Sequence, residues 1–134
     1  MIYTETVSIN TKGGSNIVNI TAMIQEILKK SKIKAGSVLV NSLHTTAVPM
    51  IMEYEPGLIQ DTRELFERLV LRSDTYHHHD GNAHSHLRAM LFSHSLTIPI
   101  QNEKLLLGPW QSVVFIDFDI KSRTRTLVIQ ISGE

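Results

Sequence analysis

The sequence contains no cysteine. That excludes a disulfide framework and any thiolate metal site, so a metal site would have to use histidine and carboxylate ligands. There is also no excess of charge of either sign, with 13 Lys and Arg residues against 13 Asp and Glu. Such a balance argues against a nucleic-acid partner held by bulk charge, though not against a local phosphate site. No apolar run approaches the roughly 18 residues needed to cross a bilayer. The opening Met1-Ile2-Tyr3-Thr4-Glu5 shows no basic segment followed by an apolar one, so the expectation is a cytoplasmic protein without a membrane partner. The chain has no Walker loop, no Gly-x-Gly-x-x-Gly and no Gly-x-Ser-x-Gly, which removes the commonest nucleotide-binding and hydrolase signatures. Internal repeats, low-complexity segments and linkers are missing as well.

What is present is an ordinary globular composition. The 134 residues are 42% hydrophobic and 19% charged, enough for one domain with its own core. Ile2 to Ile9 alternates apolar and polar side chains and predicts a half-buried strand. Lys12-Gly13-Gly14-Ser15 predicts a turn. Thr21 is placed to cap a helix over Ala22 to Lys30, whose Met23, Ile24, Ile27 and Leu28 form one stripe. Ser37 to Met52 predicts one or two long buried strands. Pro56 opens a second helix with Leu58, Ile59, Leu65, Phe66 and Leu69 as its apolar face. Asn82 is a candidate cap for a short third helix. Ser95 to Ile100, Trp110 to Asp119 and Thr124 to Ser132 predict strands, with a hairpin turn at Gln101 to Lys104. The expected fold is a single α+β domain over residues 1–134: a β-rich antiparallel or mixed sheet with two to three helices packed on it.

Histidine is the most uneven feature. Five of the seven, His77, His78, His79, His84 and His86, fall within ten residues, and the others are His44 and His94. Imidazole can ligate a metal, act as a base or donate to phosphate. His84 and His86 point to one side if their segment is extended. In a helix they lie about 200° apart. The competing reading of this stretch is a solvated polar loop. Further along, Asp117, Asp119, Lys121, Arg123 and Arg125 occupy alternate positions. They would share one face of an uninterrupted strand and could hold a metal-bound diphosphate. Cross-strand ion pairs are the alternative, and a turn near Lys121-Ser122 would break the alternation.

One ordered set of motifs resembles the YjbQ-type family, associated with secondary thiamine-phosphate synthase activity. It comprises His44 followed by Thr45-Thr46-Ala47, then Glu53-x-Glu55-Pro56-Gly57 with Asp61. It continues with Asn82-Ala83-His84-Ser85-His86-Leu87, Gly108-x-Trp110-Gln111, Asp119…Arg123-x-Arg125 and the final Gly133-Glu134. The resemblance spans nearly the whole chain. It implies a β-rich α+β subunit assembling as a homotrimer. It also implies a reaction that joins hydroxymethylpyrimidine diphosphate to thiazole phosphate and releases pyrophosphate.

On this resemblance the expected site places His44, Glu53, Asp61 and Asp119 in catalysis. Thr45, Asn82, Trp110, Gln111, Arg123 and Arg125 would hold a phosphorylated small-molecule substrate. His44, His78, His84 and His86 are the candidate ligands of a divalent metal, zinc or magnesium. Two other readings stay open: a metal-dependent hydrolase using the histidine cluster, and a non-catalytic trimeric ligand-binding protein.

Overall fold

The computed structural model describes residues 1–134. Its elements run β1 (Ile2–Thr11), β2 (Asn16–Asn19), α1 (Thr21–Ser31), β3 (Gly36–Ser42), β4 (Ala47–Met52), α2 (Pro56–Leu69), α3 (Ala83–Met90), β5 (Ser95–Gln101), β6 (Lys104–Leu105), β7 (Ser112–Asp117) and β8 (Arg123–Gly133). The strands form a five-stranded sheet, β1-β8-β3-β5-β6, and a three-stranded sheet, β2-β7-β4. Every pairing is antiparallel. The α+β expectation holds, in its antiparallel form.

Alternation along β7 shows how the layers stack. Val113 and Phe115 join the main core, which also contains Ile24, Ile27 and Leu28 of α1 and Val38, Val40, Leu127, Ile129 and Ile131 of the large sheet. Val114 and Ile116 point the other way. With Phe118 they pack against Phe66 of α2 and Ala89 of α3 in a second cluster. Successive strand residues face opposite sides, so a strand apolar on both faces can be covered by a layer on each. Asp117 continues the Val113 and Phe115 face, so its position in the alternation directs this carboxylate to the closed end of the space between the sheets.

Local chemistry explains the boundaries. Gly13, Gly14 and Ser15 all have left-handed backbones, with φ of 79°, 65° and 60°, so β1 turns sharply into the short β2, which the sequence reading missed. Glu55 caps α2, its carboxylate accepting from Gly57 N at 2.8 Å and Leu58 N at 2.7 Å, with Pro56 in the first turn. Asn102 and Glu103 are both left-handed, as a two-residue hairpin between β5 and β6 requires.

Two expectations need correction. Thr21 is the first residue of α1 rather than its cap. Its hydroxyl accepts from Val113 N at 2.8 Å, tying the helix to β7. The run Ser37 to Met52 forms two strands, one of the two expected outcomes, and they lie in different sheets. On α2 only Phe66 is buried, while Leu58, Leu65 and Leu69 stay exposed, because one end of the small sheet offers the helix a single aromatic seat. There Phe66 meets Phe118 and Phe92 edge-on, with ring centroids 4.9 and 5.6 Å away. No helix is long and apolar enough to cross a membrane.

Candidate functional site

The polar residues of greatest chemical interest gather where β7 ends, β8 begins and α3 starts. Asp117 is fully buried. Its two oxygens accept from Arg125 Nε at 2.6 Å and Nη2 at 2.7 Å, and Thr11 Oγ1 donates to it at 2.5 Å. Arg125 Nη2 also donates to Thr46 Oγ1 at 2.7 Å. A buried ion pair is tolerated when its hydrogen bonds are filled in this way.

Asp119 lies in the loop after β7. It accepts from Ile120 N at 2.9 Å and from Arg123 Nε at 2.9 Å, and Arg125 Nη2 is 3.6 Å away. Burial pushes its pKa up. The Ile120 N–H, the Arg123 charge, the Asn82 side chain and the Arg125 charge outweigh that, so the net shift is downward and the carboxylate stays ionised. The two arginines therefore converge on this carboxylate rather than standing open for one external anion. Arg125 is buried in its pair, whereas the Arg123 side chain keeps 42% of its surface exposed. The alternation expected from Asp117 to Arg125 ends because β7 stops at Asp117 and β8 restarts at Arg123.

The turn after β1 holds this loop in place. Gly14 N donates to Asp119 O at 2.5 Å. A Cβ on Gly13 would stand 2.7 to 2.9 Å from the main chain of Lys121, Asp119 and Ile120. Gly13 is thus a positioning residue that sequence reasoning read only as a turn former. The consecutive glycines were its one signal.

Two histidines border the cluster in defined states. His44 follows β3, and its Nε2 accepts from Thr126 N at 2.8 Å, so the neutral ring carries its proton on Nδ1. Burial first, then the nearby Arg125, hold its pKa below the usual imidazole value; Asp117 opposes them only in part. His84, in the first turn of α3, is 2% exposed. Ser85 Oγ donates to Phe118 O at 2.7 Å and lies 3.3 Å from His84 Nε2. That hydroxyl is spent as a donor, so Nε2 carries the histidine proton and Nδ1 is a bare acceptor. Nδ1 is buried with no partner, as is Oδ1 of Asn82. Burial, then Arg88 and Arg72, lower the His84 pKa. Arg88, one turn on, is itself buried and donates to Val70 O at 2.7 and 3.1 Å, pinning α3 to the end of α2.

The remaining expected site residues lie elsewhere. Thr45 is exposed while its neighbour Thr46 turns inward. Met52 pairs with Ser112, so Glu53, Trp110 and Gln111 sit beyond the start of β7. The six residues of β7 put that end about 17 Å from the Asp117 end. Trp110 is 73% exposed, and Gln111 fixes its loop by accepting from Gly108 N at 2.8 Å. Asp61 is exposed on α2.

The histidine expectation is also corrected. His84 and His86 are on a helix, not an extended segment, so the two rings diverge. His86 meets His78 instead, with ring centroids 4.8 Å apart, beside a cavity of about 400 Å³ lined also by Tyr76 and His77. No three His, Asp or Glu side chains of the chain converge in a way that could hold a metal ion.

A family model described as "UPF0047 protein YjbQ-like" matches residues 5–134. The chain belongs to the YjbQ-like UPF0047 family. A UPF0047 protein of Methanothermobacter thermautotrophicus is 34% identical over 135 residues, covering 99% of this chain and 94% of that protein. One from Archaeoglobus fulgidus is 37% identical over 116 residues, covering 85% and 89%. The crystal structure of a YbjQ-like protein of unknown function from Sulfolobus solfataricus P2 superposes with a TM-score of 0.96 at 29% identity, covering 100% of this chain and 99% of that one. In this YjbQ-like chain, the His44 to Ala47, Asn82 to Leu87 and Asp119 to Arg125 motifs share one end of the molecule. The Glu53 and Gly108 to Gln111 motifs occupy the other.

Proposed function

We propose that this YjbQ-like chain is a small-molecule enzyme acting on a phosphorylated substrate at the cluster of His44, Asn82, His84, Asp119 and Arg123. The observation that carries this reading is the bare, buried Nδ1 of His84, which feels the charge of Asp119, the carboxylate that holds the half-exposed guanidinium of Arg123. A buried acceptor without a partner costs about 1–3 kcal/mol. A substrate donor, hydroxyl or water would fill it. Arg123, kept in place by Asp119, and the Nδ1–H of neutral His44 are suited to a phosphate oxygen.

The specific reaction to test is the one the family resemblance implies, formation of thiamine phosphate with loss of pyrophosphate. There the chain would mainly align two partners and neutralise a leaving anion. Magnesium would supply charge neutralisation on a diphosphate. The residues of one protomer do not fit a resident zinc site, since no three ligands converge. We further propose a homotrimer, in which the Trp110 and Glu53 end of one subunit approaches the His84 end of its neighbour. The exposed indole and the separation of the two motif groups along β7 support that arrangement.

The bare His84 Nδ1 also favours a second reading, hydrolysis of a phosphate ester, with Nδ1 taking the proton of water. Incubating the protein with hydroxymethylpyrimidine diphosphate and thiazole phosphate, and separately with p-nitrophenyl phosphate, distinguishes the two. Thiamine phosphate and pyrophosphate in equal amounts, lost in His84→Gln, support transfer. Ester cleavage alone, lost in the same variant, supports hydrolysis. Neither product, together with no calorimetric binding of pyrophosphate, overturns the enzyme reading.

A further inference from the structure

The chain has a second concavity that none of the site residues lines. A cavity of about 720 Å³ opens between α1 and the β5–β6 hairpin, a size that suits a small organic ligand. Leu28, Ile33, Leu105 and Leu107 give it an apolar lining, and Lys29, Lys32 and Lys104 stand around it. Two carboxylates, Glu26 and Glu103, also face it, leaving an excess of one positive charge. None of the three lysines is ion-paired; Lys30, paired with Glu5 at 3.3 Å, is the only lysine of the chain that is.

The walls are fixed. Gln25 Nε2 donates to Glu103 O at 3.0 Å, joining helix to hairpin. Glu103 N donates to Lys34 O at 3.0 Å. Lysines at the end of a helix offset its dipole, which accounts for Lys29 and Lys32 in part. It does not account for Lys104, on a strand, or for leucines left half-buried beneath them. Thr21, which also lines the cavity, is bonded to Val113 near the start of β7, away from the Asp117 end.

We propose that this cavity binds an organic anion with an apolar body. The anionic head is held among Lys29, Lys32 and Lys104, and the body lies against Leu105 and Leu107, which cover the buried Leu28 and Ile33. Unpaired ammonium groups beside an apolar surface match such a ligand and disfavour a fully neutral one or a bare inorganic ion.

The test is a fluorescence titration of the full chain with anilinonaphthalene sulfonate, an anion with a flat apolar body. One saturable site per chain is expected, displaced by octanoate and not by octanol or pyrophosphate. Lys29→Gln/Lys32→Gln/Lys104→Gln should weaken it about tenfold or more, while Lys30→Gln, outside the cavity, should bind as the parent does. Circular dichroism of the triple variant, whose changes are all on the surface, checks that it is folded. Absence of saturable binding, equal displacement by octanol, or parental affinity in the folded triple variant would overturn the proposal. So would loss of binding in Arg123→Ala, which would place the dye in the other site.

Discussion

Arg125 grips both carboxylate oxygens of Asp117, at 2.6 and 2.7 Å, at the closed end of the space between the two sheets. The pair joins β8 of the large sheet to β7 of the small one, so it acts as a polar latch between the layers. Its neighbour Arg123, two residues away on β8, is instead half open to solvent.

The two arginines should therefore behave differently. Arg125→Ala leaves Asp117 charged and buried, which typically costs about 3–5 kcal/mol, a large share of a domain's total stability. Arg123→Ala should cost about 1 kcal/mol or less, since its pair is partly solvated, yet weaken pyrophosphate binding about tenfold. Urea denaturation and calorimetry on both variants check this. Equal stability losses would show that the latch is not specific to Arg125.

Gly13→Ala should destabilise the protein by more than about 1 kcal/mol. The residue has a φ of 79°, and the new Cβ would press on main-chain atoms that cannot step aside. Because those atoms belong to the Asp119 loop, pyrophosphate affinity should fall as well. Retained affinity with reduced stability would confine Gly13 to folding.

Acid should weaken the fold in a defined window. Burial first, with nearby arginines, sets the pKa values of His44 and His84 below their unfolded value of about 6.5. Above that pH both states hold neutral rings. Below it the unfolded chain takes up protons that the folded chain resists, so stability falls as pH drops from about 6.5 toward the folded values. The lowered pKa of Asp119 adds a further loss as pH falls below about 4. Urea midpoints should drop between pH 7.5 and 5.5, and drop less in His84→Gln. A flat profile would contradict imidazoles that the fold holds neutral.

Phe66→Ala should cost about 3–5 kcal/mol, because the ring is the sole buried side chain of α2 and sits against Phe92 and Phe118. Leu65→Ala, one residue away and exposed, should stay within about 0.5 kcal/mol. Thermal melts of the two variants separate these outcomes; similar shifts would mean that the exposed leucine stripe is covered in solution.

The sequence by itself determined most of the elements. Alternation in β1, Pro56 at the start of α2, the Gly13-Gly14 turn and the hairpin at Gln101 to Lys104 are set by neighbours within a few residues, where steric limits and side-chain period act directly. The ordered motifs identified the family for the same reason, being read along the chain. Only the tertiary structure decided partners. A strand carrying Asp117 and Arg125 reads the same whether these residues await a phosphate or each other. The choice follows from β7 and β8 meeting across two sheets, where a buried charge needs its counter-charge. His84 and His86 looked equivalent until a helix turned one ring inward and the other toward His78. Glu53 and Trp110, expected beside His44, stand at the far end of β7, because six extended residues separate what the order of motifs alone could not measure.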